Sequence, residues 1–172
     1  VMPFGDFVLS DYPDTSLVAG GLLNQGGRLL LAGDSGIGKS YVMMQMLLQS
    51  ALGVPWFGVW SVKAPLRSLY IQVEVAPAML NLRAKRWADG GPMPPETMFS
   101  LALLRNYDIV ENSGALKRYM ETEGIQLVGY DPLYKMHNGD ENSVMTLKPT
   151  QDALDYALDE KRAAIVSHHV NK

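Results

Sequence analysis

The sequence predicts an α/β fold of three layers (α/β/α), with a mainly parallel sheet between helices on both of its faces. Short apolar runs alternate with longer amphipathic segments along the chain, and this order is typical of βαβ units. The first unit contains a glycine-rich turn between its strand and its helix. Polar and charged side chains follow the later strands. Because ligands of such sheets bind outside the carboxyl ends of the strands, we expect these groups to form one site.

The composition is that of a globular chain. Its 172 residues can bury a substantial core, with 47% of them hydrophobic and 19% charged. No apolar run is long enough to cross a bilayer, and the first residues lack the pattern of a signal peptide. We therefore expect a cytoplasmic protein with no membrane partner. The absence of cysteine excludes disulfides and thiolate metal sites. The net charge of −3 provides no overall basic surface for nucleic acid.

Residues 1–16 are predicted to form an irregular arm, and residues 17–172 the globular core. Proline, glycine and scattered aspartates interrupt any regular pattern in the arm. Phe4, Phe7 and Val8 are expected to pack against the edge of the core.

Five segments are predicted to be strands. They are short runs rich in branched or aromatic side chains, bounded by glycine, proline or polar turns. They span 28–32, 68–73, 98–101, 125–130 and 163–167. The apolar run at 28–32 indicates a buried strand, whereas Gly129 is expected to weaken the fourth strand.

Four segments with helical spacing separate these strands. Residues 41–51 are apolar nearly all round, which indicates a buried helix. A helix at 77–90 begins at a proline and ends at a glycine pair. Asn112 or Ser113 is expected to cap the third helix. The last helix lies around 149–162, with apolar residues on its inner face.

The glycine-rich turn matches the phosphate-binding pattern G-x-x-x-x-G-K-[ST]. It consists of Gly33, Asp34, Ser35, Gly36, Ile37, Gly38, Lys39 and Ser40. Its glycines allow successive N–H groups to converge on an anion at the positive end of a helix. Lys39 can reach the β- and γ-phosphates, and the Ser40 hydroxyl can bind Mg²⁺. The strand before the turn and the helix after it supply the required context, so the sequence predicts nucleotide binding.

Polar residues at the ends of three later strands extend this site. Asp131 has the Walker B pattern and can hold Mg²⁺ directly or through water, or it can simply begin the turn at Pro132. Glu74 can polarise a water for attack on the γ-phosphate, or it can interact with the N-terminus of the next helix. His168 and His169 can stabilise the γ-phosphate, or they can be ordinary polar residues at a strand end.

Two further polar segments have less specific interpretations. The loop 137–142 contains a histidine and several carboxylates, but a chain with three histidines and no cysteine is a poor source of a structural zinc site. We expect a flexible loop that borders the active site. Arg83, Lys85 and Arg86 are expected to form a solvated face of their helix, or a contact with another subunit or with nucleic acid.

Taken together, these motifs resemble the RecA-like ATPases, and among them the RepA-type plasmid replicative helicases and their phage and mobile-element relatives. The resemblance extends from about Leu17 onward and rests on the segments LLLAGDSGIGKS, LYIQVE, LVGYDPLYKMHNGDENS and IVSHHVNK. It implies a RecA-type P-loop NTPase core with a strand inserted between the P-loop and Walker B strands. It also implies ATP hydrolysis by a homo-oligomeric ring, usually hexameric, around single-stranded DNA.

The resemblance also implies roles for individual residues. Lys39 and Ser40 form the P-loop pair, with Ser40 and Asp131 as the Mg²⁺ residues. Glu74 corresponds to the catalytic base and His168 to the γ-phosphate sensor. The nucleotide-binding set is the loop from Gly33 to Ser40 together with Tyr41 and His169. Further strands, a DNA-facing loop and an arginine finger are expected beyond Lys172, as in a core truncated at its C-terminus.

Three functions are compatible with the residues themselves. The first is a motor ATPase that moves along or unwinds nucleic acid, and the second is an ATP-switched assembly or regulatory module. The third is a small P-loop kinase that phosphorylates a metabolite. Glu74, placed on a strand of its own, favours hydrolysis over transfer, because a kinase needs an acceptor pocket and usually a lid.

Overall fold

The structure, a computed structural model, describes residues 1–136 and 144–169; for residues 144–147 it describes the backbone alone. The predicted loop 137–142 and the last three residues of the chain lie outside this description. Within the described residues, a parallel five-stranded sheet has the order β3-β7-β6-β4-β5, beside a small antiparallel pair β1-β2. The strands are β1 Ser16–Val18, β2 Leu23–Asn24, β3 Arg28–Gly33, β4 Ser68–Gln72, β5 Phe99–Leu103, β6 Leu127–Asp131 and β7 Ala163–His169.

The helices pack on both faces of this sheet and complete the three predicted layers. They are α1 Phe4–Val8, α2 Lys39–Leu52, α3 Pro77–Gly90, α4 Ile109–Thr122 and α5 Val144–Leu158. One apolar cluster joins α2 and α3 to the sheet, and a second joins α4 and α5 to its opposite face. Successive residues of a strand point to opposite faces, so Tyr70 belongs to the first cluster while its neighbours Leu69 and Ile71 belong to the second. The prediction of a three-layer α/β/α fold with a parallel sheet is confirmed.

The strand β7 lies between the strand that leads into the P-loop and the strand that ends at Asp131. Gln72 is in register with Asp131 on the adjacent strands β4 and β6. The carboxyl ends of β3, β7, β6 and β4 therefore meet at one edge of the sheet, as the inserted-strand arrangement requires. The strand β3 lies at an end of the described sheet, which leaves Leu30 59% exposed, so the expectation of a fully buried strand is wrong.

Gly129 lets α2 approach the sheet closely. A Cβ atom at this position would lie 2.6 Å from Leu47 Cδ1 and 2.9 Å from Met43 Sδ. Both side chains belong to α2 and are fully buried. The glycine thus removes a clash beneath the helix that begins at the P-loop, and it remains within a regular strand rather than interrupting it.

Three local expectations are wrong. The arm contains the short helix α1, and its apolar residues are exposed rather than packed on the core, with Phe4 at 80%. Asp108, not Asn112 or Ser113, caps α4, because its Oδ1 accepts hydrogen bonds from the first-turn amides. Helix α5 spans Val144–Leu158 with Pro149 inside it. It ends where Asp159 adopts a φ of 51°.

Candidate nucleotide-binding site

The phosphate-binding loop presents backbone amides and one cation to the same space. Gly36 and Gly38 have φ values of 80° and 100°, in the left-handed region that favours glycine. Gly38 precedes the first residue of α2, so the free amides of the helix open onto the loop. The Lys39 ammonium lies over the loop and donates hydrogen bonds to the carbonyls of Gly33 at 2.7 Å and Asp34 at 2.8 Å.

A cavity of about 250 Å³ lies between this loop and the ends of the strands. The loop contributes Lys39 and Ser40 to its walls, and the strand ends contribute Glu74, Asp131 and His169. A neighbouring cavity of about 460 Å³ is lined by residues 72–77 and 103–106 and contains no P-loop residue. Glu74 lines both this larger cavity and the P-loop cavity.

Not every residue of the predicted nucleotide-binding set reaches the cavity. Ser35, Gly36, Gly38 and Tyr41 line it together with Lys39 and Ser40. Gly33, Asp34 and Ile37 do not, and Ile37 is 63% exposed. These three residues contribute to the loop through their backbone.

Three hydrogen-bond donors surround Asp131 within the sheet. Its Oδ2 accepts from the Tyr70 hydroxyl at 2.5 Å and from Gln72 Nε2 at 2.9 Å. Its Oδ1 accepts from Ser167 Oγ at 2.6 Å. Asp131 and these partners are all buried. Burial first, and then the charge of Asp131, raises the pKa of the Tyr70 hydroxyl well above its usual value, so Tyr70 remains a proton donor.

Gln72 connects Asp131 to Glu74. Its Nε2 donates to Asp131, while its Oε1 accepts hydrogen bonds from the backbone amides of Glu74 at 2.6 Å and Val75 at 3.0 Å. One buried amide therefore fixes both the Asp131 carboxylate and the backbone of the predicted base. The sequence held a signal for this residue, since a polar glutamine in a buried apolar strand requires partners.

The side chain of Glu74 is held by the segment that follows β6. Lys135 Nζ lies 2.9 Å from Glu74 Oε1, and the Tyr134 hydroxyl donates to the same oxygen over 3.4 Å. The hydrogen bond to Glu74 raises the pKa of the Lys135 ammonium. Nothing in the local sequence indicates this contact, because its partners are about sixty positions apart.

The two histidines lie on opposite faces of the sheet. Side chains alternate along β7, so Ser167 and His169 share the face of Asp131 and α2, while His168 points to the face of α4 and α5. Accordingly, His169 lines the cavity and His168 does not. The ring of His169 also packs edge-on against Tyr134, with centroids 4.9 Å apart.

Arg83 turns into the cavity instead of forming a solvated face. Its guanidinium carbon lies 4.7 Å from the centre of the Tyr41 ring, in a cation–π arrangement. Its Nε and Nη1 atoms are buried, and they have no hydrogen-bond partner among the residues that the structure describes. Arg86, on the same helix, is exposed and lies away from this cavity. Arg83 is therefore a second cation at the site, and its expected place on the solvated surface is wrong.

The fold and this cavity define a P-loop nucleotide-binding protein. A family model described as an AAA domain matches residues 3–172, so the chain belongs to this family of RecA-like P-loop ATPases. The chain is also similar to a DNA repair protein RadA from Synechocystis sp., with 35% identity over 78 residues. That match covers 45% of this chain and 13% of the RadA protein, so the chain spans a small part of its relative.

These comparisons confirm the resemblance to RecA-like ATPases, whereas membership of the RepA-type helicases stays a prediction. Across residues 1–136 and 144–169, no helix has the length and apolar character needed to span a membrane. The same ranges contain no group of three or more His, Cys, Asp or Glu side chains that could hold a metal ion.

Proposed function

We propose that this chain binds ATP with Mg²⁺ in the P-loop cavity and hydrolyses it. The observation that carries the proposal is the convergence of Lys39, Ser40, Glu74 and Asp131 on one cavity of about 250 Å³. These residues come from the ends of separate elements, so their meeting is a property of the fold. A P-loop cation, a hydroxyl and two carboxylates are the groups that phosphoryl transfer to water requires.

In the proposed reaction Glu74 accepts a proton from a water molecule. The water oxygen forms a bond to the γ-phosphorus as the bond from that phosphorus to the β–γ bridging oxygen breaks, giving ADP and inorganic phosphate. Lys39 and the loop amides stabilise the negative charge on the phosphates. We assign the contact with the γ-phosphate to His169 rather than His168, because His169 alone of the two lines the cavity.

Ser40 and Asp131 fit a bound Mg²⁺ in different ways. Ser40 lines the cavity, which supports direct coordination of the ion by its hydroxyl. Asp131 already accepts three hydrogen bonds, and an ionised carboxylate has about four acceptor positions. This occupancy favours contact with the ion through water. When bound, Mg²⁺ neutralises phosphate charge and orients the γ-phosphoryl group.

Arg83 supplies a second positive charge for the phosphates in this proposal. Its buried nitrogens lack partners within the described residues, and a phosphate oxygen would satisfy them. The variant Arg83→Met should weaken ATP binding about 10- to 100-fold, the range expected for one charge-assisted hydrogen bond. Arg86→Met is the matched control, because it removes the same charge from an exposed site on α3. Equal affinities of the two variants for a fluorescent ATP analogue would refute this role.

We further propose that residues 17–172 serve as the ATPase core of a homo-oligomeric motor on single-stranded DNA, with residues 1–16 as an arm. The resemblance to RepA-type helicases and the similarity to a protein named for DNA repair support this assignment. The net charge of −3 indicates that any DNA contact uses local basic groups or a surface shared between subunits.

The decisive experiment measures ATP turnover with and without single-stranded DNA. We expect Lys39→Ala to abolish nucleotide binding or turnover, and Glu74→Gln to bind ATP normally but lose hydrolysis. Glu111→Gln on the exposed surface of α4 is a matched control that should behave as the unmodified chain. Normal turnover by Glu74→Gln would refute the catalytic assignment. Turnover stimulated by single-stranded DNA supports the motor, whereas indifference to DNA supports an ATP-switched module.

A further inference from the structure

Lys135 contacts Glu74 across the ends of two neighbouring strands. Glu74 lies two residues beyond the end of β4, and Lys135 lies four residues beyond the end of β6. The Lys135 ammonium approaches Glu74 Oε1 at 2.9 Å, and the Tyr134 hydroxyl donates to the same oxygen over 3.4 Å. Lys135 therefore joins the predicted base to the strand that bears Asp131.

This ion pair has little value for folding. The two side chains are 44% and 38% exposed, so solvent screens their attraction, and exposed pairs of this kind contribute little to stability. Holding a long lysine side chain in one orientation also costs conformational entropy. The consequence of the contact is geometric, because it determines which way the carboxylate of Glu74 faces.

Glu74 is held at two points. Gln72 Oε1 accepts a hydrogen bond from its backbone amide at 2.6 Å, while Lys135 and Tyr134 share Oε1 of its side chain. Oε2 makes no hydrogen bond to any residue that the structure describes. Glu74 also lines the P-loop cavity. One carboxylate oxygen is thus anchored, and the other is available to accept a proton.

We propose that Lys135 is a positioning residue that anchors Oε1 of Glu74 so that Oε2 receives the proton of the attacking water. This inference rests on the proposed function, in which Glu74 is the base. Lys135 does not touch the nucleotide in this proposal, so its loss should lower kcat and leave KM nearly unchanged. The side chain at this position must be positively charged and must donate a hydrogen bond to Glu74, and arginine can do both.

The experiment compares steady-state ATP hydrolysis by the unmodified chain and by Lys135→Met, Lys135→Arg, Lys148→Met and Glu74→Gln. We expect Lys135→Met to lower kcat about tenfold or more, as for a misplaced catalytic group, with KM within about twofold. Lys135→Arg should restore kcat to within about threefold of the unmodified chain. Lys148→Met is the matched control, because it removes another exposed ion pair, with Asp152 at 3.2 Å on α5. It should leave both constants unchanged.

The outcomes separate this inference from the proposed function. If Glu74→Gln hydrolyses ATP normally, the proposed function fails. If Glu74→Gln is inactive but Lys135→Met keeps its full kcat, only the positioning role is overturned. A rise in kcat for Lys135→Met also overturns it, because the lysine would then restrain the base. A fall in kcat that arginine does not rescue, or an equal fall in Lys148→Met, likewise contradicts positioning.

Discussion

Replacement of Gln72 by methionine should destabilise the fold and disable the site together. The side chain is buried, and methionine matches its length without its polar atoms. The change removes the hydrogen bond to the Asp131 carboxylate, worth about 1.5–3 kcal/mol, and leaves the amides of Glu74 and Val75 without their acceptor, at about 0.5–1.5 kcal/mol each. We expect the free energy of unfolding to fall by about 2.5–6 kcal/mol.

Urea denaturation followed by circular dichroism measures this loss, provided that the dependence of free energy on urea is the same in both proteins. Gln126→Met is the matched control. Its Oε1 accepts one hydrogen bond, from the exposed Arg67 amide at 3.1 Å, so about 0.5–1.5 kcal/mol should be lost. If Gln72→Met loses no more stability than this control, the buried amide does not support the site as the geometry indicates.

Three more substitutions test separate features of the fold by the same urea measurement. Gly129→Ala should cost about 1–3 kcal/mol because its methyl group collides with α2, whereas Gly90→Ala meets no atom within 4 Å and should be neutral or stabilising. Asp108→Ala should cost about 0.5–2 kcal/mol through loss of the α4 cap, and more than Ser113→Ala, whose half-buried hydroxyl donates only to the Val110 carbonyl over 3.4 Å. The hydrogen bond from the Ser16 amide, aided by Lys63, lowers the pKa of Asp14 from 3.8 to about 2. The ionised Asp14 carboxylate therefore makes its full contribution to the free energy of unfolding above pH 3.8, and this contribution is lost as the pH falls through about 2. The variant Asp14→Asn should lose less stability than the unmodified chain over this pH interval. Equal losses of stability in the two proteins over this pH interval would contradict the lowered pKa of Asp14.

Local sequence determined the elements that depend on neighbouring residues. The P-loop needs left-handed backbone at Gly36 and Gly38, and only glycine adopts it without strain. The strands are recognisable because they are buried apolar runs between turns. The carboxyl-end rule for parallel sheets then predicted that Glu74 and Asp131 would approach the P-loop, since it depends only on strand direction.

Local pattern failed where several weak signals compete over a few residues. Three good capping residues lie close together in this segment, namely Asp108, Asn112 and Ser113. Asp108 is the cap, because the helix that follows it begins at Ile109, which is buried in the core. The sequence pattern predicts that the last helix begins near Pro149, yet α5 begins five residues earlier. A proline removes a single backbone hydrogen bond, and packing of the apolar face against α4 and the sheet outweighs that loss.

The set of partners around each functional group depends on contacts between distant segments of the chain. The register of β4, β6 and β7 places Tyr70, Gln72 and Ser167 around Asp131, although they are 36 to 61 positions away from it in the sequence. The two-residue alternation of a strand selects His169 over His168, but which face holds the P-loop helix depends on how the chain crosses the sheet.

The orientation of the Arg83 side chain likewise depends on contacts that the local sequence does not reveal. By sequence, Arg83 belongs with Lys85 and Arg86 on a charged helix surface, and nothing local distinguishes it from them. In the folded protein, the Tyr41 ring and the P-loop cavity lie on its side of α3, and its guanidinium turns toward them. Sequence determined which groups this protein can bring to a nucleotide. Packing between distant segments determined which of them arrive, because the contacts that orient each group are made by residues far away along the chain.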